Sequence, residues 1–577
     1  MDLRPYLKRT FRRLGFAPHL VDLYGYVSDR EQSRRMRAEL ERLRVGATAF
    51  RRIEPGQKPS KLLILSMSNA VYNVALEAVL ALPFRMRGWQ VDVLSSNVYT
   101  VAQRGFAAFG EHRLLHYERL LGDPAAPRAA QEEIARRRSG PADFRSVLHW
   151  RYRGAWVGPQ LLSSVSRSSF DGAPDPRDPA VFEQILQRLG QSVQFVHAAE
   201  RYLAEHRPDV ILVNEPNYHV LGPFVDVAIA RGIPIIHYTQ PSREDALVFK
   251  KLTPETRRIH PSSIAPDLLD RLVEQPWTPG HDKRLSEELE SRYSGRWRLQ
   301  ARNQAQNAEQ SPEAVRSLLD LDPEKPTAAV FSHVLWDANL FYGEDIFDNY
   351  GHWFIETVKA AVANPKVNWL IKLHPANAWK REMSGVTGEF AEERLIRAEI
   401  GALPPHVKLL LPDTQVGTLS LFKTIDCGIT VRGTIGIELP CFGKPVVTAG
   451  TGRYSGLGFT RDHDSAAEYL ATLANLHELP PLSAEAERRA KVYAYTLFAR
   501  RPWVYGSFRS RMEGPITDPL HMRIDLVAKT PEEVHSFGDL DRFADWAASD
   551  CGVDYLADDP LAARSCAREE VKYVPNG

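Results

Sequence analysis

The sequence predicts an α/β protein of two Rossmann-like domains facing a cleft, with a basic helical arm before them and an extension after them. Three observations lead there. Short apolar runs, bounded by small or polar residues, alternate with segments of helical periodicity. This alternation occurs twice, in 60–300 and in 325–475, on either side of a charged, Gln/Asn-rich stretch. At 577 residues the chain is also too long for one ordinary core. Strand–helix alternation builds parallel sheets, so two such regions build two sheets.

The elements follow in order. Residues 1–58 hold 14 basic against seven acidic residues, so this arm carries a net positive charge. It reads as a solvated helical arm, or as a surface for the inner membrane leaflet or for a partner. "KLLILSMSN" (61–69) is a strand opening into a loop. "VYNVALEAVLALPFRMRG" (71–88) is a helix stopping at Gly88, and "WQVDVLSS" (89–96) is the next strand. The stretch 110–180 is polar and rich in Arg and Pro, and its elements are not ordered by pattern alone. Residues 180–206 form a long amphipathic helix, 208–217 a strand, 221–232 a helix and 233–240 a strand.

Residues 285–325 read as a helical connector. The second domain then runs strand 327–333, helix 352–365, strand 367–375, strand 406–413, helix 416–425, strand 426–432, short helix 433–443 and strand 444–450. From 476 to 577, the sequence reads as a helix over 484–503, whose return to the first domain is an expectation from the family resemblance named below, and a loosely attached tail around 545–565.

Composition narrows the function. A net charge of +1 argues against a nucleic-acid binder. Cys427, Cys441, Cys551 and Cys566 lack metal-ligand spacing and suit reduced, packed thiols. No apolar core follows the basic start and no run reaches spanning length, so a cytoplasmic location is expected.

In open parallel sheets, ligands bind at the carboxyl ends of strands. "NWLIKLHPANAWK" (368–380) ends such a strand on Lys372, His374 and Pro375. Proline stops the strand, and Lys372 and His374 share one face if the strand is regular. The pair either grips a phosphate or carboxylate, or His374 simply caps the sheet; local sequence leaves both open. "DCGITVRGTIGIELPCFGKPVV" (426–447) adds a turn with Arg432, Gly433 and Thr434 at a helix start, where free amides favour an anion. Glu438 lies on the same helix face as Thr434 and either meets sugar hydroxyls or faces solvent. Ser332 and His333 sit at another strand end, before a long aromatic and acidic loop in which Trp336, Phe341 and Tyr342 read as anchors. Arg453 and Tyr454, in the glycine-bearing "GTGRYSGLGFT", would reach in beside a sugar.

"KLHP" (372–375) and "TVRGTIGIELPCFGKPVV" (430–447) resemble the GT-B glycosyltransferases of bacterial capsule and surface polysaccharide that use CMP-activated sugars. These include the capsular Kdo transferases and polysialyltransferases, with the CDP-glycerol glycerophosphotransferases more distant. The resemblance implies that His374 and Pro375 hold the donor nucleotide, and that Arg432, Gly433 and Thr434 bind its phosphate. It implies that Glu438 lies near the ribose or sugar. It implies a catalytic acid or base from the first domain, for which Glu215 at a strand end is the first choice and His237 the second, while Asn214, Asn217 and His219 orient and Ser68 and Asn69 meet the acceptor. No metal and no cofactor beyond the nucleotide-sugar substrate are implied. The expected function is transfer from CMP-Kdo or a related CMP-ulosonic acid to a growing glycan. The alternatives are a UDP- or GDP-sugar or CDP-alditol donor on the same architecture, or a non-catalytic glycan-binding protein of an export complex.

Overall fold

The computed structural model describes residues 30–54, 59–110, 112–122, 124–169, 174–301, 309–335, 340–378, 381, 388–515 and 518–557. Most of the arm 1–58, Trp336 and Cys566 therefore lie outside the described residues. Within the arm, a helix spans Arg30–Gly46 and buries Leu40 and Leu43.

The first sheet has seven strands: β1 (Lys61–Leu65), β2 (Gln90–Ser95), β3 (Arg113–His116), β4 (Val210–Val213), β5 (Ile235–Thr239), β6 (Ala246–Leu252) and β12 (Trp503–Val504). Their order is β12-β6-β5-β4-β1-β2-β3. The five strands from β5 to β3 are parallel, while β6 and β12 run antiparallel at the edge. Strands covered on both faces read as continuous apolar runs, as "VILV" in β4 does.

The second sheet has β7 (Thr327–Phe331), β8 (Asn368–Lys372), β9 (Val407–Leu410), β10 (Cys427–Thr430) and β11 (Val446–Thr448). It is wholly parallel, in the order β11-β10-β7-β8-β9. Alternation along the strands feeds two cores. Ala328, Val330, Trp369 and Ile371 face one layer of helices, and Ala329, Phe331 and Leu370 face the other. Each parallel set thus has the Rossmann order, giving the two-lobed α/β architecture of the GT-B kind.

The polar stretch after β2 is ordered as β3 and the helices Tyr117–Leu120, Ala125–Arg138, Phe144–Leu148 and Val157–Ser169. The long helix Pro179–Glu205 follows, started by Asp178, whose carboxylate accepts the Ala180 amide at 2.7 Å.

Two boundaries differ from expectation. The helices Pro266–Val273 and Pro279–Tyr293, read as part of the first domain, pack on the second. Their apolar stripe (Leu269, Leu272, Leu285, Leu289) meets Ile437, Tyr454 and Tyr493, and this burial outweighs sequence proximity. The chain after Arg500 is no loose tail. It adds β12, a ribbon of β13 (Phe508–Met512) and β14 (Met522–Leu526), and helices Pro531–Phe537 and Asp539–Ala548. Trp503, Phe508, Ile524, Phe543, Trp546 and Tyr555 share one core with Leu62 and Val79. The helix Val71–Met86 is buried on nearly every side because it lies between the sheet and this extension.

Asp554 closes the extension. It is buried and binds Lys250 Nζ at 2.7 Å, Arg501 at 3.3 Å and the Ala265 amide at 2.7 Å. Cys427 and Cys441 are buried free thiols, whereas Cys551 is disulfide-bonded, which corrects the reading of all four cysteines as unlinked. Among the described residues, no helix is long and apolar enough to cross a membrane.

Candidate functional site

The chain moves to opposite sides of the second sheet after β7 and after β10, which opens a crevice at their carboxyl ends. A cavity of about 340 Å³ occupies it. Ser332 and His333 enter from β7, Lys372, His374 and Pro375 from β8, and Arg432, Gly433 and Thr434 from β10. The strand-end residues singled out in this half of the sequence are thus brought together on one wall.

His374 is fixed by its own turn. Its Nδ1 accepts the N–H of Ala376 at 3.1 Å, two residues on, and Pro375 between them holds the bend. Its backbone N–H donates to Ser332 Oγ at 2.9 Å. Accepting at Nδ1 leaves the proton on Nε2, so the neutral ring is a donor toward the cavity. Burial, then Lys372, lowers its pKa to about 4, which keeps it neutral at physiological pH.

Lys372 is 5% exposed. Among the described residues no group pairs with its ammonium, and burial lowers its pKa to about 8. Arg453 also lines the cavity, and its buried Nε has no partner among the described residues. Arg432 is paired with Asp345 but keeps an orphan Nε, and burial lowers its pKa to about 9. No described carboxylate lines the cavity. A lysine without a described counter-ion, beside arginines that keep unsatisfied N–H groups in a low-dielectric crevice, makes a site suited to an anion.

The turn after β10 is built with equal care. His333 Nε2 faces the amides of Val431 and Arg432, both at 3.3 Å, and Thr430 Oγ1 at 3.1 Å. Its ring stacks on Tyr350, with centroids 4.5 Å apart. Both Nε2–amide contacts require an acceptor, and burial holds the pKa well below its ordinary value. His333 therefore shapes the turn, as Ser332 shapes His374. Thr430 Oγ1 accepts the Gly433 amide at 3.2 Å, and the Tyr454 hydroxyl donates to Gly433 O at 2.8 Å. Gly436 is required beneath it, since a Cβ there would lie 2.1 Å from Tyr454 Oη.

The role expected of Glu438 is corrected, and the first-lobe candidates lie off the cavity wall. Glu438 is wholly buried and does not line the cavity. Arg292 Nε donates to one of its oxygens at 2.6 Å and Tyr293 Oη binds the other, so the carboxylate fastens the helix Pro279–Tyr293. Glu215 stands exposed beyond β4, ion-paired to Arg167 at 2.8 Å, and is not on the cavity wall. His219 is bound to Ser164 at 2.8 Å and Gln191 at 2.9 Å, and Asn214 donates to Tyr238 O at 2.9 Å. His237 is buried within β5, with its pKa lowered to about 3 by burial. Ser68 accepts from the Ala70 amide at 3.1 Å, and Asn69 accepts from the Val101 amide in the first turn of the helix Thr100–Phe109 at 3.0 Å.

The long loop after β7 has a dual role. Phe341 is an anchor, with the Arg257 guanidinium 4.1 Å from its ring, whereas Tyr342 reaches the cavity wall. Arg258 donates to Phe341 O at 3.0 Å and Gly343 O at 2.6 Å, which ties this loop to the chain leaving the first lobe. Sequence reading missed His260, Arg292, Tyr293 and Tyr350, all on the wall. His260 had a signal: it precedes Pro261 as His374 precedes Pro375.

No family model matches the chain, and no curated protein does. Among solved structures it is similar to the KpsC beta Kdo 2,4 transferase of Thermosulfurimonas dismutans, at 14% identity over 56% of this chain and 85% of that one, with a TM-score of 0.29. The beta Kdo 2,7 transferase of the same organism's KpsC gives 12% identity over 60% and 89%, with a TM-score of 0.29. A UDP-GlcNAc 2-epimerase from Neisseria meningitidis gives 12% over 76% and 95%, with a TM-score of 0.25. These are loose superpositions.

Proposed function

We propose that this protein is a GT-B glycosyltransferase that moves a sugar from a nucleotide donor, CMP-Kdo or a related CMP-ulosonic acid, to a growing capsule or surface glycan. One observation carries the reading: Lys372 is buried at a strand end with no counter-ion among the described residues, beside a histidine locked as a donor. A nucleotide phosphate supplies the missing charge. As the glycosidic bond to the leaving phosphate breaks, negative charge grows on that phosphate. Lys372, the Nε2–H of His374 and the 432–434 turn stabilise it there.

Glu215 is the proposed base for the acceptor hydroxyl. It stands at the carboxyl end of β4, beside the first sheet's own change of strand order, where an acceptor would lie. The basic N-terminal stretch, with Arg34, Arg51 and Arg52 exposed, suits an anionic membrane leaflet. Flotation with anionic liposomes checks this, and binding that ignores salt removes it.

Thermal unfolding with CMP, CDP, UDP and GDP tests the donor, because a ligand of the native state alone raises the midpoint. Stabilisation by CMP above the others is expected. Preference for UDP or GDP would move the donor class, and no stabilisation by any nucleotide would end the reading.

A further inference from the structure

The device that holds His374 occurs twice. Of the 18 histidines only His260 and His374 precede a proline. His260 Nδ1 accepts the N–H of Ser262 at 3.0 Å, two residues on, just as His374 Nδ1 accepts that of Ala376 at 3.1 Å. Both rings therefore carry their proton on Nε2. Both line the same cavity, and among the described residues nothing accepts from either Nε2. They arrive on unrelated segments: His374 at the end of β8, His260 on the chain that leaves β6.

The His260 loop is fastened on several sides. Its N–H donates to Gly452 O at 2.8 Å, and its carbonyl accepts from Ser263 Oγ at 2.5 Å. Lys250, itself held by Asp554, donates to Ser263 O and Oγ, both at 3.2 Å. The ring packs against Tyr342, with centroids 5.3 Å apart. A ring so fixed, with one nitrogen committed to its own turn, has a single function left at the other: to donate into a cavity that Lys372, unpaired among the described residues, also lines.

We infer that His260 is a second ligand-binding residue of this cavity, donating from Nε2 to the same phosphate that His374 meets from the other segment. The inference rests on reading the cavity as a nucleotide-phosphate site. It makes that site a two-sided clasp, so that donor binding draws on the chain joining the lobes as well as on the second sheet.

Asparagine separates the two nitrogens. In His260→Asn, Oδ1 still accepts the Ser262 amide, while the Nε2 donor is gone; His374→Asn does the same for the other ring. Wild type, both single variants and the double variant are titrated calorimetrically with CMP, UDP and pyrophosphate, and ligand-free unfolding is measured for each. Each single variant is expected to weaken the best ligand about tenfold and the double about a hundredfold, with ligand-free midpoints unchanged. Pyrophosphate should weaken in the same proportion, because the donor meets phosphate and not the base. Wild-type affinity in His260→Asn beside a weakened His374→Asn overturns the inference and leaves the nucleotide site standing. Wild-type affinity in both, or no binding by the wild type, overturns the nucleotide site as well. Should His260→Asn fail to fold, histidine ¹⁵N spectra of the wild type decide: an Nε2–H signal of His260 that stays still while that of His374 moves on ligand addition refutes the clasp.

Discussion

Lys372 sets stability against binding, and the conflict can be measured. Its ammonium is 5% exposed and unpaired among the described residues, and burial takes its pKa from 10.5 to about 8. At 1.36 kcal/mol per tenfold change in proton affinity, holding this buried charge costs about 3 kcal/mol near neutral pH. The sign follows from linkage. Between pH 8 and 10.5 the unfolded chain keeps a proton that the native protein releases, so the penalty is full below 8 and is relieved as pH rises through that window. Lys372→Met keeps the apolar stem and removes the charge. The ligand-free variant should be more stable by about 2–3 kcal/mol in urea unfolding near neutral pH. That advantage should shrink above pH 8, while the stabilisation by nucleotide collapses. A variant less stable than wild type, or one that keeps the full nucleotide response, refutes the claim that this lysine waits for an anion.

Three further outcomes follow from the packing. Gly436→Ala drives a Cβ into the buried ring of Tyr454, so about 1–3 kcal/mol should be lost together with nucleotide affinity; wild-type values for both would show that the turn can relax. Asp554→Asn leaves Lys250 and Arg501 buried without their anion, and about 3–5 kcal/mol should be lost in denaturant unfolding. Burial raises the pKa of Asp554, but Lys250 and Arg501 outweigh it and hold the value below normal, so its contribution is present above the ordinary carboxylate value, fades as pH falls through the lowered one, and the gap between variant and wild type closes in acid. Glu215→Gln should cut turnover by about 10²–10⁴-fold with nucleotide affinity unchanged; undiminished turnover strikes Glu215 from the reaction.

Much of the fold was legible because strand and helix periods are local. β7, β8 and β10 are apolar runs ending on small or charged residues, and their tips converge because parallel sheets make them do so. What periodicity could not give was which lobe an amphipathic helix would choose. Leu285 and Leu289 fit a stripe against either lobe, and only the three-dimensional partner Ile437 decides. Glu438 was misread for a related reason. A carboxylate in an apolar helix must be satisfied somewhere, but its partner Arg292 lies 146 residues earlier, beyond the reach of any local pattern. His260 could have been found, since its proline neighbour repeats the signal at His374; it was passed over because it follows no parallel strand.

The distant partners also explain how the cavity bears its charge. Arg432 and Arg453 lie where the loops 341–345 and 450–453 cross, and these touch so closely that a Cβ on Gly343 would be 2.1 Å from Thr451 O. Arg258 binds one of these loops and the His260 amide binds the other. Cations held apart from water repel one another, and a wall of mobile loops would open to hydrate them. Here each loop is tied to the chain between the lobes, and that chain is tied through Lys250 and Asp554 to the C-terminal extension packed on the first core. The extension thus braces the loops that carry Arg432 and Arg453, and the walls of the cavity are held from the first core as well as from the second sheet.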